Sequence, residues 1–275
     1  IIMGGSGEIV TYKQLDERSN QGAQLFRSLG LKAGDHIGMM LENTRQFLEI
    51  AWAAQRSGII FTPISTHLKL AEASYILENC GAKLFIGSLH LADVATQIIA
   101  NSPGQLAHFY MVNGIKPGFE SWEEAIDREP DTRIDDESNG VPMLYSSGTT
   151  GQPKGVFVPP ASSDVNTPHP LVSSMGAAFG FSAETVYLSP APLYHAAPLH
   201  YCMMVTFQGG TIVVMEQFDA EGALKLIEEH RVTHSQWVPI MFIRMLKLPQ
   251  EVRDSYDVSS MQFAIHAAAP CPIEV

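Results

Sequence analysis

At 275 residues, 45% of them hydrophobic and 17% charged, the chain is long and apolar enough for a substantial core, which excludes disorder as its general state. A net charge of −12 and a pI near 5.2 argue against nucleic acid or an anionic membrane surface as a partner, since both require a basic face. Three widely spaced cysteines, Cys80, Cys202 and Cys271, suit neither a disulfide framework nor a zinc site and point to a reducing cytoplasm.

The most apolar stretch, 201–215, is broken by Gln208, Gly209 and Gly210, so no transmembrane segment is expected. Ile1-Ile2 stands where an initiator methionine and signal peptide would be sought, and the chain is expected to be a fragment. Thr11 and Gln14 have the spacing of a capping box, and Leu15, Gly22, Phe26 and Leu29 then share one helical face up to Gly30. His36 to Leu41 reads as a buried strand, Asn43 with Gln46 as the cap of a helix ending at Gly58, and Ile59 to Ile64 as the next strand. Helices over 70–79 and 91–100 alternate with strands over 83–87 and 108–112, and Ser121 with Glu124 caps a further helix. The acidic segment 131–140 reads as a surface loop, and Pro159 to Pro170 as a flexible excursion. A second α/β region then shows strands over 186–189, 211–215, 232–238 and 261–265, a helix over 199–207, and a helix over 220–230 capped by Asp219. Strands alternating with helices imply parallel sheets flanked by helices.

The stretch YSSGTTGQPKGV, Tyr145 to Val156, packs three glycines, four hydroxyl residues and a lysine into one loop between two strand-like segments. Glycines allow close backbone approach, and successive backbone N–H groups in such turns form an anion-binding concavity. Pro153 and Gly155 occupy positions that break the Walker A pattern, the GxGxxG pattern is absent, and no helix follows to offer its N-terminus. Polyphosphate gripped by the loop itself is the ligand this composition suits.

This loop resembles the signature phosphate loop of the AMP-forming acyl-CoA synthetases, the adenylate-forming family that includes luciferases and peptide-synthetase adenylation domains. TYKQLDERSN, GDHIGMMLEN, PLYHAAPL, VPIMF and IHAAAPCP resemble other family segments in the same order, so the likeness spans nearly the whole chain. It implies a two-lobed αβαβα sandwich of mostly parallel sheets, with 34–182 as the first lobe, 1–33 and 183–275 as the second, and no C-terminal domain. It implies that Ser146, Ser147, Gly148, Thr149, Thr150, Gly151 and Lys154 hold the ATP phosphates, with Thr149 also toward Mg2+, and that Ala267, Ala268, Ala269 and Pro270 line the adenine pocket. His266-Ala267 departs from the Ser-Gly start usual there.

By the same resemblance His195 sits near the substrate carboxylate and is, with Lys154, a catalytic candidate. Amino-acid-activating members carry an aspartate at the position of His195, so the expected substrate is a carboxylic acid without an α-amino group. Trp237, Met241 and Phe242 are candidates to line its site, although methionine and aromatic residues at helical spacing are more often core. The implied function is ATP-dependent activation of a small-molecule carboxylate, a fatty acid first, to acyl-AMP and then acyl-CoA, with CoA as co-substrate. An aryl-acid or luciferase-like adenylating enzyme and a non-catalytic nucleotide- or acyl-binding module are the alternatives. Oligomeric state stays open.

Overall fold

A computed structural model describes residues 1–275 except Pro103, 147–151 and His169. The chain divides into two compact units, one of residues 11–169 and one joining 1–10 to 170–275. Strand β1 (Ile2–Met3) belongs to the latter. The 11–169 unit runs α1 (Tyr12–Ser28), β2 (His36–Met40), α2 (Arg45–Arg56), β3 (Ile60–Pro63), α3 (Leu70–Cys80), β4 (Ala82–Ser88), α4 (Ala92–Ala100), β5 (His108–Val112), β6 (Glu120–Ser121), α5 (Trp122–Ile126), β7 (Val141–Ser146) and β8 (Lys154–Phe157). The other continues with α6 (Pro170–Phe179), β9 (Val186–Ser189), α7 (Ala196–Phe207), β10 (Thr211–Val214), α8 (Ala220–His230), β11 (His234–Trp237), α9 (Pro239–Leu246), α10 (Gln250–Arg253) and β12 (Phe263–His266).

In the 11–169 unit the sheet order is β6-β5-β4-β2-β3-β7-β8, parallel except for the final antiparallel pair. Neighbouring residues of a strand point to opposite faces, and both faces are covered. Met111 faces a core built with Met40, Phe85 and Phe119 under α3 and α4. Tyr110 turns the other way, toward Trp122 of α5, whose ring centroid lies 6.2 Å from its own and 5.9 Å from that of Phe26 on α1.

Helix α1 starts as its sequence dictates. The Gln14 N–H donates to Thr11 Oγ1 at 3.2 Å and the Thr11 N–H to Gln14 Oε1 at 2.9 Å, so two N–H groups at the helix start are satisfied reciprocally. Gly22 lets α1 lie tightly on α2, because a Cβ there would stand 2.7 Å from the Ala53 Cβ. Charged and polar contacts flank this crossing: Arg27 meets Asp136 at 3.0 Å, Arg56 of α2 meets Asp16 at 2.7 Å, Arg18 pairs with Asp127, and Gln24 Nε2 donates to the Thr132 carbonyl at 2.8 Å.

These contacts correct the expected partition. Residues 11–33 sit with the unit that carries the phosphate loop, because the apolar stripe of α1 packs on α2 and α5 while its arginines hold the acidic segment 127–136. Only 1–10 joins the second unit, which resumes at Pro170 and not at 183. A second local expectation also changes: the N-cap of α2 is Thr44, and Gln46 donates instead to Asn113 Oδ1 at 2.8 Å and Glu123 Oε1 at 2.9 Å.

The second unit has the parallel order β1-β10-β9-β11-β12. Leu188, Val213 and Trp237 form a core with Ala223, Leu226 and Ile227 of α8. On the other face Tyr187 stacks on Tyr201 of α7 with ring centroids 5.9 Å apart. Asp219 caps α8 by accepting from the Gly222 N–H at 2.6 Å. Among the described residues no helix is long and apolar enough to cross a membrane.

Candidate functional site

The phosphate-loop stretch is the end of a hairpin. β7 and β8 pair antiparallel, and the register sets Ser146 directly opposite Lys154, Tyr145 opposite Gly155 and Met143 opposite Phe157. Gly155 leaves room for that packing: a Cβ there would come within 2.4 Å of Met143 Cε, so the end of that side chain would have to move, and 3.0 Å from Tyr145 Cζ. The Tyr145 hydroxyl donates to Asn79 Oδ1, at the end of α3, at 2.6 Å, and burial raises the phenol's pKa. The base of the hairpin is thereby fixed, and Ser146 and Lys154 are exposed at its mouth. Ser147, Gly148, Thr149, Thr150 and Gly151 lie outside the described residues.

Asn139, which sequence reasoning passed over, organises the chain on either side of this hairpin. Its Nδ2 reaches the carbonyls of Ser162 at 3.0 Å, Asp164 at 2.5 Å and Thr167 at 3.1 Å, and its Oδ1 accepts from Gln55 Nε2 at 2.9 Å. The segment after β8 is thus pinned to the segment before β7. The one local signal was the Asn-Gly pair at 139–140, a turn dipeptide.

In the second unit His195 is the N-cap residue of α7, with extended backbone (φ −88°, ψ 152°) and an exposed side chain. Its ring centroid lies 4.6 Å from that of Tyr194, which is itself buried. The imidazole stands beside the positive end of a three-turn helix, where an anion is favoured. Trp237 and Met241 come together with Phe242, but within the core under α8: Trp237 is 1% exposed, its ring lies 5.7 Å from Phe242, and its indole N–H donates to Ser235.

The segment Ala267 to Pro270 follows β12. The Ala267 N–H donates to the Trp237 carbonyl at 3.1 Å, and Ala268, Ala269 and Pro270 are exposed. Ala268 holds φ at +73°, a left-handed conformation that costs an L-residue about 1–2 kcal/mol. Strain of this kind persists where the surroundings over-determine it, and it clusters at ligand sites. Among the described residues there is no group of three or more His, Cys, Asp or Glu that could hold a metal ion.

Two mostly parallel sheets of this topology, flanked by helices, define a mixed α/β protein. The match to known sequences makes this specific: residues 1–275 match the AMP-binding enzyme family throughout, and the chain belongs to that family. It is 29% identical over 269 residues to a long-chain-fatty-acid–CoA ligase of Mycobacterium tuberculosis, covering 96% of this chain and 50% of the relative. It is 28% identical over 270 residues to a feruloyl-CoA synthase of Amycolatopsis, covering 98% and 51%. The chain spans about half the length of the curated relatives it matches. Among solved structures, the inhibitor-bound N-terminal domain of FACL13 from Mycobacterium tuberculosis aligns with a TM-score of 0.84 at 25% identity, over 99% of this chain and 66% of that one. These likenesses agree with the expected mixed α/β class and with acyl-CoA ligases among the chain's relatives.

Proposed function

We propose that this chain carries the phosphate-gripping and carboxylate-presenting parts of a ligase that uses ATP to activate a carboxylic acid as acyl-AMP and passes it to CoA, in the cytoplasm. The observation that carries the reading is the hairpin of β7 and β8, which presents Ser146 and Lys154 side by side at the mouth of a glycine- and hydroxyl-rich loop in a chain matching AMP-binding enzymes from end to end. In the reaction a carboxylate oxygen attacks the α-phosphorus and the bond to pyrophosphate breaks, so two anions approach and negative charge builds on the leaving group. Lys154 and the loop hydroxyls, Ser146, Ser147, Thr149 and Thr150, with Gly148 and Gly151 between them, would spread that charge. His195, at the N-terminus of α7, would receive the acid's carboxylate. Ala267 to Pro270 would lie against the adenine, the exposed and strained Ala268 among them. Mg2+ would neutralise phosphate charge, with Thr149 on the loop as its ligand.

A fatty acid is the substrate taken first, on the likeness to the mycobacterial ligase. An aryl acid is the second reading, because the feruloyl-CoA synthase and a 4-coumarate–CoA ligase of Oryza sativa, at 29% identity, match over the same residues. Free amino acids are excluded on the ground that His195 offers no anion to an ammonium group, and burying that charge unpaired is costly.

The test is ATP–pyrophosphate exchange by a protein carrying this chain at the full length of its relatives, across fatty, aryl and amino acids. Lys154→Ala is expected to slow exchange by the equivalent of about 2–4 kcal/mol, the loss typical of one well-placed donor to a developing charge, while leaving transfer from preformed acyl-AMP to CoA unaltered. Unchanged exchange in the variant removes Lys154 from the mechanism, and exchange with free amino acids defeats the substrate assignment.

A further inference from the structure

The chain contains two Asn-Gly pairs, Asn113-Gly114 and Asn139-Gly140, both in the 11–169 unit. This dipeptide carries a latent reaction, because the backbone nitrogen of a glycine can attack the side-chain carbonyl of the asparagine before it. No glycine side chain hinders the approach, and its backbone bends freely. Asparagine counts among the thermolabile residues for such reasons. In a folded chain the outcome depends on whether the attacking nitrogen and the departing amide are free, and on what faces the carbonyl oxygen. The structure sets the two pairs apart on each point.

Asn139-Gly140 is locked. The Gly140 N–H donates to the Gln55 carbonyl at 2.6 Å, and Gly140 is buried where even a Cβ would stand 2.3 Å from the Ala54 carbonyl oxygen. Asn139 Nδ2, which would have to depart as ammonia, is held by the carbonyls of Ser162, Asp164 and Thr167. Asn113-Gly114 is open. Among the described residues neither the Gly114 N–H nor Asn113 Nδ2 donates to an acceptor, and Asn113 is exposed to water. The bend after β5 itself calls for this dipeptide: φ is +61° at Asn113, a region asparagine tolerates, and a Cβ on Gly114 would stand 2.6 Å from Leu89 Cδ2.

The contact that Asn113 Oδ1 does make favours reaction. Gln46, 2% exposed, donates from Nε2 to Asn113 Oδ1 at 2.8 Å and to Glu123 Oε1 at 2.9 Å. A carboxylate only accepts, so Glu123 fixes which end of the Gln46 amide faces it, and that NH2 group in turn fixes Asn113 with its oxygen inward. Attack on Cγ moves negative charge onto Oδ1, where a buried donor already points.

We propose that Asn113-Gly114 is a self-modifying site, at which the native fold promotes deamidation with Gln46 polarising the reacting carbonyl, while Asn139-Gly140 is protected. The Gly114 nitrogen bonds to Asn113 Cγ, the Cγ–Nδ2 bond breaks, and ammonia leaves with the proton from Gly114. Water then opens the cyclic imide at either carbonyl, giving aspartate or isoaspartate. The first puts a carboxylate beside Glu123 on the same Gln46 NH2 group; the second lengthens the backbone by a methylene between β5 and β6. No ligand takes part, so the inference stands apart from the ligase reading.

The test is to age the protein in mildly alkaline buffer, native and in urea, and to follow both pairs by peptide mass mapping with enzymatic methylation of isoaspartate. In urea the two pairs should react at similar rates. In native buffer Asn113 should react at least as fast as in urea and outpace Asn139 by about tenfold or more, since Gly140 reacts only from locally opened states. Gln46→Met, a swap of similar volume, should cut the native rate at Asn113 by at least about tenfold through loss of a donor to developing charge, with Asn139 still protected as the sign of an intact fold. A native rate at Asn113 below its rate in urea, or equal native rates at the two pairs, overturns the proposal on wild type alone, whatever the variant's stability. An unaltered rate in folded Gln46→Met overturns the part given to Gln46.

Discussion

Ala268 and His234 each carry a cost that one substitution exposes. Ala268→Gly removes the penalty of φ +73° but adds backbone freedom to the unfolded chain, so a net gain of about 0.5–1 kcal/mol is expected in urea unfolding. No gain would mean that Ala268 is not held in that conformation in solution. His234 is buried, with ring centroids 5.2 Å from Phe181 and 5.1 Å from Phe263, and Nε2 lies 2.8 Å from the Phe179 carbonyl. A carbonyl can only accept, so Nε2 carries the hydrogen. Burial lowers the His234 pKa, more than the Phe179 bond raises it. As pH falls below the unfolded value of about 6.5, the unfolded chain therefore binds a proton that the folded chain refuses. The stability His234 contributes is present above that pH and is lost as pH drops toward the folded pKa. His36, lowered by burial as well, adds to the same slope. Tm should fall between pH 7.5 and 5.5, and His234→Gln should flatten part of the fall; an unaltered slope refutes the assignment.

Among the elements, the close crossing of α1 on α2 is the contact most open to attack. A leucine at Gly22 would collide with Ala53 and with the Trp122 ring, 3.3 Å from the position of a Cβ, and overpacking of this kind costs about 1–3 kcal/mol. Gly22→Leu should lower the urea midpoint by that amount, and a neutral result would show that the helices slide apart freely. The caps at Thr11, Ser121 and Asp219 were legible in sequence because a cap is a contact over three residues, and each is formed as expected. Most strands were legible from their apolar runs. Helix α6 was not, because PLVSSMGAAF mixes small, polar and apolar residues without a clear stripe. The partition of the chain was not legible either, since it depends on Arg18 meeting Asp127 and Arg27 meeting Asp136, over a hundred positions away. At the candidate site the loop's composition is the local signal on which the phosphate proposal rests. The clasp of Asn139 is a product of topology, with partners from Gln55 to Thr167, and its one local mark is the Asn-Gly pair.

At the level of the whole molecule, two sheets end in strands whose outer edges are open. Every residue of β8 is exposed, with Val156 at 55% and Val158 just beyond it at 53%, and in β12 Phe263 is 40% exposed. Open edges with apolar side chains template pairing with other chains, and the repulsion that opposes it disappears near the pI of about 5.2. Light scattering should show this 275-residue chain associating as pH approaches 5, and Val156→Lys should reduce the effect; equal scattering by both proteins would acquit that edge. The pairing of Ile2 with Val213 has another consequence, in the time order of synthesis. Residues 11–169 can close their own sheet once they leave the ribosome, whereas Ile2 and Met3 must wait for a strand made more than two hundred residues later. At about 5–20 residues per second that interval is roughly 10–40 s, during which β1 has no sheet to join. Stalled nascent chains ending shortly before 211 should therefore show a protected 11–169 and a protease-sensitive 1–10.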